Sequence, residues 1–258
     1  MPGTKRRNAL MVFGACVVAT ALIAMSFGEL KALLAYGRAT TIGMERNTIF
    51  SRSWEDLVLM GRPAVPLLSY GLRKHPNEWV RARAAIALRR INPVGIRTLL
   101  EERLFGDENY IVRYEAAEQL GSLGDSAAVP ALLRCLTTDP NYYPRCACAT
   151  SLGELGNPTL SDTIVEALEK EQDSTVRQNL VGALGKLRNP SAVPVLIDLL
   201  GNDKSLLVRH TAAYSLGAIG GTNAIPALLK ASEEKEALIR DAATWALGQI
   251  RKPVSLRQ

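Results

Sequence analysis

Apolar and small residues recur along most of the chain in a pattern that repeats about every 32 residues. Its clearest marker is an arginine that follows an apolar residue, and successive arginines stand 32, 32, 32, 32 and 31 positions apart. These arginines are Arg81, Arg113, Arg145, Arg177, Arg209 and Arg240. Most are followed by small residues at positions three and four, by leucine at position seven and by glycine at position eight. Spacings of three, four and seven define one face of a helix, so the Val-Arg step is predicted to start a helix with a close-packed face.

A second marker predicts another helix in each repeat. Prolines follow an Ala-Val or Ala-Ile pair, in register with the arginines, at Pro66, Pro130, Pro194 and Pro226. Proline is tolerated in the first turn of a helix because its missing N–H would have no partner there. Each repeat is therefore predicted to be a pair of helices, and a period of this length is typical of stacked repeats that bury their apolar faces on their neighbours. The predicted fold is all-α, an α-solenoid of helix pairs over residues 51–258.

Acidic residues stand six positions before five of the six arginines, and His75 occupies the corresponding place in the first repeat. They are Asp107, Asp139, Glu171, Asp203 and Glu234. A carboxylate in the turn between two helices can pair with guanidinium groups of its own repeat and of the adjacent one, because a guanidinium offers five donors in a planar fork. We therefore expect the arginines to fasten the repeats together. The alternative is a row of arginines that binds anions.

The repeated motifs resemble HEAT repeats, in particular the short HEAT-like repeats of the phycobilisome-lyase type. The resemblance rests on Pro-x-Leu-Leu in the first helix, an acidic turn, and Val-Arg-x-x-Ala-Ala-x-x-Leu-Gly in the second, over residues 51–253. It implies a right-handed α-solenoid whose second helices line the concave surface. This repeat type serves many unrelated binding roles, so the resemblance implies a fold and no particular activity.

The N-terminus predicts membrane targeting. Lys5, Arg6 and Arg7 precede an uncharged run over residues 9–27, which as a helix would be about 28 Å long and could span a bilayer. The basic cluster places the N-terminus in the cytoplasm and the repeats on the extracytoplasmic, periplasmic side. We interpret residues 1–27 as a single-pass signal anchor, with a cleaved signal peptide as the alternative. Residues 28–50 are interpreted as a juxtamembrane linker.

Charge and composition exclude some function classes. Residues 1–50 hold six Lys/Arg and two Asp/Glu, whereas the other 208 residues hold 25 and 23, so the repeats carry a net charge of only +2. Nucleic-acid binding depends on clustered positive charge, and we expect none here. Two histidines and four cysteines give no metal-ligand spacing, and no cofactor site is predicted. Cys135 and Cys148 are expected to be buried; a disulfide between Cys135 and Cys146 stays open.

The candidate binding surface follows from helical geometry. Residues one, five and nine positions after each arginine point away from the close-packed face. The partner-binding residues predicted from these positions are Tyr114, Glu118, Gln178, Lys186, His210, Tyr214 and Trp245. The alternative is that these large side chains simply pack on one another. Tyr142 and Tyr143, interpreted as lying in an inter-helix turn, form a second candidate.

These observations predict a non-catalytic, membrane-tethered scaffold that binds a protein partner on the concave face. Amphipathic aromatic groups of the kind found in the stripe are enriched at binding hot spots. The alternative function is a lyase-like enzyme or accessory factor that acts on a pigment or prosthetic group, which only the resemblance in repeat type supports.

Overall fold

The computed structural model of the protein describes residues 31–36 and 47–251. These ranges contain α-helices, short 3-10 turns and connecting loops but no β-strand, which confirms the all-α prediction for this part of the chain. The predicted signal anchor at residues 1–27 lies outside the described residues. Within them, every helix is too short or too polar to cross a bilayer. The chain divides into two compact units, with the boundary between Ile96 and Arg97.

The first unit contains a folded segment within the predicted linker. Residues 31–36 are helical, and Ala32 and Ala35 are buried. The ring of Tyr36 meets Trp54 edge-on, with 6.3 Å between the ring centroids. This segment therefore packs on the unit because its alanines and tyrosine form an apolar face. Three longer helices follow, and the first of them begins four residues before the predicted start of the repeats: α1 (Asn47–Met60), α2 (Val65–Lys74) and α3 (Glu78–Ile91).

The second unit consists of successive first and second helices of the repeats. Its helices are α4 (Ile96–Gly106), α5 (Tyr110–Ser122), α6 (Val129–Thr138), α7 (Tyr142–Glu154), α8 (Ser161–Lys170), α9 (Ser174–Leu187), α10 (Val193–Asn202), α11 (Leu206–Ile219), α12 (Ile225–Ala231) and α13 (Ala237–Arg251). The second helices α5, α7, α9, α11 and α13 pack side by side in that order, and each first helix from α6 onward packs on the second helix that follows it. The predicted stack of helix pairs is confirmed. The right-handed sense and the concavity of the second-helix layer stay predictions.

The observed starts of the helices confirm the prediction from the prolines and correct the prediction from the arginines. The four prolines occupy the first turn of their helices, as predicted, after short 3-10 turns. The second helices, however, begin three residues before the arginine and not at the Val-Arg step. Most of their capping residues are Asn or Asp, whose side-chain oxygens accept hydrogen bonds from backbone amides two residues later: Asn77, Asn109, Asn141 and Asp173. These caps fix the start of the helix because they satisfy amides that have no partner within it.

Glycines at position eight allow the second helices to pack closely. A Cβ atom on Gly153 would lie 2.8 Å from the Cα atom of Ala183, and one on Gly217 would lie 2.8 Å from the Cα atom of Ala246. Buried serines add a polar link where the helices meet. The Ser215 hydroxyl donates to the carbonyl of Val181 at 2.9 Å, so this buried polar group is satisfied across the interface.

The three described cysteines are free and buried, and Cys135 and Cys146 form no disulfide. Cys135 and Cys148 are almost completely shielded from solvent, which confirms the prediction that they pack as small hydrophobic residues. Burial raises the pKa of the Cys146 thiol to about 11. Since the thiolate is the reactive form, this environment does not activate Cys146 at neutral pH.

Candidate functional site

Three arginines and three carboxylates link successive repeats in what we call the acid–arginine ladder. Its rungs are Arg113–Asp139, Arg145–Glu171 and Arg177–Asp203. In each rung the arginine Nε donates at 2.7 to 2.9 Å to one carboxylate oxygen. The Nη2 atom donates at 3.0 to 3.1 Å to the other oxygen. The pairing is bidentate and always joins an arginine to the acid 26 residues later, so each rung joins one repeat to the next.

The remaining donors and acceptors of the ladder bind the main chain. Arg145 Nη1 donates to the carbonyl oxygen of Asp139 in its own repeat at 3.0 Å. The Asp139 Oδ1 atom also accepts a hydrogen bond from the Asn141 amide at 2.9 Å. His75 has the same role in the first unit, because its Nδ1 accepts from the Asn77 amide at 3.1 Å. The natural histidine at this position therefore makes the same hydrogen bond in the turn as the acids of the later repeats.

The ladder is structural. The arginine side chains of its three rungs retain only 13 to 18% of their exposure, and their donors are already occupied by carboxylates and carbonyls. Burial opposes ionisation of Asp203, but hydrogen bonds from Arg177 and the Ser205 amide outweigh it, so the pKa of this carboxyl is lowered. The predicted fastening of repeats is confirmed for these rungs, and the alternative of an anion-binding row is wrong for them.

The ladder stops at Arg209. Its Nη1 atom donates to the carbonyl of Asp203 at 3.1 Å, as in the preceding repeats. The residue 26 positions later is Lys235, however, because the last interval is one residue shorter. Within residues 47–251, no carboxylate lies within ion-pair distance of Arg209.

The predicted binding stripe lies on the surface of the same second helices and includes an aromatic cluster. The rings of His210 and Tyr214 are 4.8 Å apart, and those of Tyr214 and Trp245 are 4.6 Å apart, between centroids. Gly217 leaves room for the tryptophan, since a Cβ atom there would lie 2.8 Å from its Cζ3. Tyr214 and Trp245 nevertheless remain 38% and 40% exposed. Packing among the rings therefore accounts for only part of their surface.

The rest of the stripe carries charged and polar groups. Lys186 Nζ lies 3.3 Å from Glu154 Oε1, and both side chains are about half exposed, at 50% and 46%. Burial raises the pKa of Glu118, and the negative charge of Glu154 adds to this effect while Lys186 opposes it. Burial and the charge of Glu118 likewise raise the pKa of Tyr114. Gln178 is half-buried on α9.

An open hollow of about 460 Å³ lies beside the aromatic cluster, between α9, α11 and α13. Residues that line it include Gly182, Gly185, Lys186, Arg188, Tyr214 and Trp245. Three of these residues were predicted to bind a partner, whereas the two glycines and Arg188 were not. The two glycines were missed because they carry no side chain, and Arg188 because it lies eleven positions after Arg177, outside the predicted stripe.

Tyr142 and Tyr143 belong to the first turn of α7 and not to an inter-helix turn, which corrects the prediction for this second candidate. Their rings stack at 4.2 Å, and Tyr143 also stacks on Tyr110 at 5.4 Å. The hydrogen bond with Tyr143 raises the pKa of Tyr142 to about 12. In the described part of the chain, no group of three or more His, Cys, Asp or Glu residues is arranged to hold a metal ion.

Comparison with known proteins identifies the repeats. A family profile described as HEAT repeats matches residues 65–145, 129–217 and 202–257, which is most of the chain. The chain belongs to the HEAT-repeat family. No curated protein matches this HEAT-repeat sequence.

Comparison with solved structures finds proteins that are similar to this HEAT-repeat protein. Kap121p bound to Nup53p is 14% identical, with a TM-score of 0.63 over 86% of this chain and 29% of Kap121p. The CpcE–CpcF complex of phycocyanin lyase from Nostoc is 22% identical, with a TM-score of 0.48 over 88% of this chain and 90% of that one. Human deoxyhypusine hydroxylase is 18% identical, with a TM-score of 0.41 over 86% of this chain and 96% of that one. At this identity the likeness to Kap121p shows the fold alone, and no argument rests on the two matches with lower scores.

Proposed function

We propose that this HEAT-repeat protein is a non-catalytic scaffold that binds a protein partner through the stripe on its second helices. The observation that carries the proposal is the exposed face of Tyr214 and Trp245 within an otherwise mixed polar surface. Large aromatic groups at interfaces contribute much of the binding energy, because they bury a large area with few rotatable bonds. Kap121p, which has the same type of fold, is an example of a HEAT-like solenoid bound to a protein.

The stripe combines features that suit a protein interface. The cluster of His210, Tyr214 and Trp245 offers apolar area, and the neighbouring pair of Lys186 and Glu154 offers polar contacts at its edge. An apolar centre bordered by polar groups is the usual composition of such interfaces. The acid–arginine ladder contributes no free donors to this surface, because its guanidinium groups are occupied.

The proposal is tested by combining Tyr214→Ala with Trp245→Ala in the full-length protein. A photo-reactive amino acid at Gln178 captures bound proteins in cells, and mass spectrometry identifies them. We expect the double variant to lose at least 90% of the capture of the main partner, because a hot spot is worth about 2 kcal/mol or more and tenfold corresponds to about 1.4. Leu229→Ala is the matched control, since Leu229 is 45% exposed on a first helix, away from the stripe. Unchanged capture by the double variant would contradict the proposal.

We further propose that residues 9–27 tether the scaffold to a membrane, with the repeats on the extracytoplasmic side. The support is the basic cluster followed by an uncharged run in the sequence. Alkaline carbonate extraction of membranes should leave the full-length protein in the pellet. Recovery of the full-length protein in the supernatant would contradict an integral anchor, and an N-terminus found after residue 20 would indicate a cleaved signal. A coloured ligand that copurifies with the protein would instead favour the pigment-related alternative.

A further inference from the structure

Gly182 is an unexplained glycine in the middle of α9. A glycine inside a helix destabilises it relative to alanine, because glycine loses more backbone freedom on folding. Gly153 and Gly217 have a packing reason, since a Cβ atom on either would lie 2.8 Å from the backbone of the next repeat. A Cβ atom on Gly182 would meet only the Cγ2 atom of Thr211 at 3.8 Å, which is ordinary contact. Packing within the protein does not require a glycine at this position.

Arg188 is a second exception in the same repeat. It ends α9 in the left-handed region with a φ of 52°, where residues other than glycine are strained. The equivalent residues in neighbouring repeats of the second unit are Gly124, Gly156 and Gly220, with φ of 69°, 68° and 81°. All four residues therefore have a positive φ, and only this repeat places an arginine where glycine fits best.

Both exceptions border the hollow beside the aromatic cluster. At the position of Gly182 the preceding repeat has Thr150 and the following one has Tyr214, so the missing side chain opens a space against the tyrosine. Arg188 lies on the rim, exposed, next to Lys186. Lys186 is partly neutralised by Glu154, whereas no carboxylate in the described residues pairs with Arg188. The hollow is thus lined by aromatic rings on one side and by Gly182 on another, and it carries the unpaired positive charge of Arg188.

We propose that this hollow binds an acidic, aromatic segment of the protein partner. An aromatic or large apolar side chain occupies the space above Gly182 and stacks on Tyr214 and Trp245. A neighbouring carboxylate of the same segment accepts hydrogen bonds from the guanidinium of Arg188, which presents several donors to it. The proposal rests on the proposed scaffold function and adds to it the chemistry of the partner. It also explains why one repeat carries two residues that cost backbone stability.

The probe is a library of synthetic octapeptides with a fixed central tryptophan and random flanking residues, screened against the full-length protein. We expect Asp and Glu to be enriched next to the tryptophan. Gly182→Leu fills the hollow and should lower the affinity for the selected peptides at least tenfold. Arg188→Gly restores the residue found in neighbouring repeats, so it should raise the melting temperature while removing the preference for acidic residues. A variant that stabilises the fold but weakens binding cannot be explained by misfolding.

Several outcomes overturn this inference. These are enrichment of Lys and Arg, absence of any enrichment, full binding by Gly182→Leu, or an unchanged acidic preference in Arg188→Gly. Failure here is distinguishable from failure of the scaffold function. If capture of the natural partner depends on Tyr214 and Trp245 but not on Gly182 or Arg188, the scaffold function stands and the acidic, aromatic segment is wrong. If the tyrosine and tryptophan substitutions also have no effect, both are wrong.

Discussion

The arginines of the acid–arginine ladder and the residues of the binding stripe lie on the same second helices, but the ladder is constant from repeat to repeat and the stripe is not. Every ladder rung uses an arginine, an acid 26 residues later and the same bidentate geometry. The stripe position directly after the arginine is instead occupied by tyrosine, cysteine, glutamine, histidine and aspartate in the five repeats of the second unit. Constancy across repeats marks positions whose neighbours lie within the stack. Variation at a fixed position that is at least partly exposed in four of these five repeats indicates that the constraint comes from something outside the stack.

The largest loss of stability is expected when the central rung of the ladder is broken. Arg145→Ala leaves the carboxylate of Glu171, with 11% of its side chain exposed, without its partner. We expect the free energy of unfolding to fall by about 3 kcal/mol, at the lower end for breaking a buried ion pair. Urea denaturation of the full-length protein measures this change.

Arg240→Ala is the matched control for that experiment. Arg240 occupies the same position in the last repeat but is exposed and donates only to the carbonyls of Glu234 and Lys235, at 3.2 and 3.3 Å. Its loss should cost about 1 kcal/mol or less, as for ordinary hydrogen bonds at a surface. Equal losses for the two arginines would show that the carboxylate pairing does not stabilise the stack.

A smaller loss in the free energy of unfolding is expected when a glycine at the contact between second helices is replaced. Gly153→Ala places a methyl group 2.8 Å from the Cα of Ala183, so α7 and α9 must move apart. We expect a loss of about 1 to 3 kcal/mol, the range for overpacking. Gly248→Ala is the matched control. Gly248 occupies the same repeat position at the end of the stack, where an added Cβ has no neighbour within 4 Å. There the helix propensity of alanine should give a gain of about 0.5 to 1 kcal/mol. A loss at both sites in thermal unfolding would contradict the packing argument.

Substitutions in the stripe should cost little stability, and one of them should stabilise the protein, in contrast to substitutions in the ladder. Burial and the charge of Glu154 raise the pKa of Glu118 in the folded state. A carboxyl with a raised folded pKa favours folding below its unfolded pKa, and this contribution is lost as the pH rises through the folded value. Glu118→Gln should therefore stabilise the protein at pH 7, by less than about 1 kcal/mol for a partly exposed group. The difference should vanish below about pH 4, where the unfolded carboxyl is protonated as well. A variant less stable at pH 7 would contradict this account.

The sequence predicts the repeated features well because each is a local pattern with a fixed period. The prolines of the first helices and the acids before the arginines fall in register with the period of about 32 residues, and the structure confirms their roles. The true start of the second helices was missed, although Asn109 and Asn141 four residues before the arginines signal it. The hollow could not be predicted in this way. It lies between Gly182 and the rings of Tyr214 and Trp245, which belong to three different helices and which only the packed structure brings together.

A change in stability as small as that of Glu118→Gln is expected at the open end of the ladder. Lys235→Asp places a carboxylate 26 residues after Arg209, the separation found in the three complete rungs. Arg209 already donates to the carbonyl of Asp203, as its counterparts do, so its Nε and Nη2 atoms are positioned for a fourth rung. We expect a gain of up to about 1 kcal/mol, because the new pair is more exposed than those inside the stack. Lys235→Ala separates removal of the lysine from addition of the acid. If aspartate gives no more stability than alanine, or if its advantage persists after Arg209→Ala, then spacing alone does not define a rung and the shorter last interval has changed the geometry.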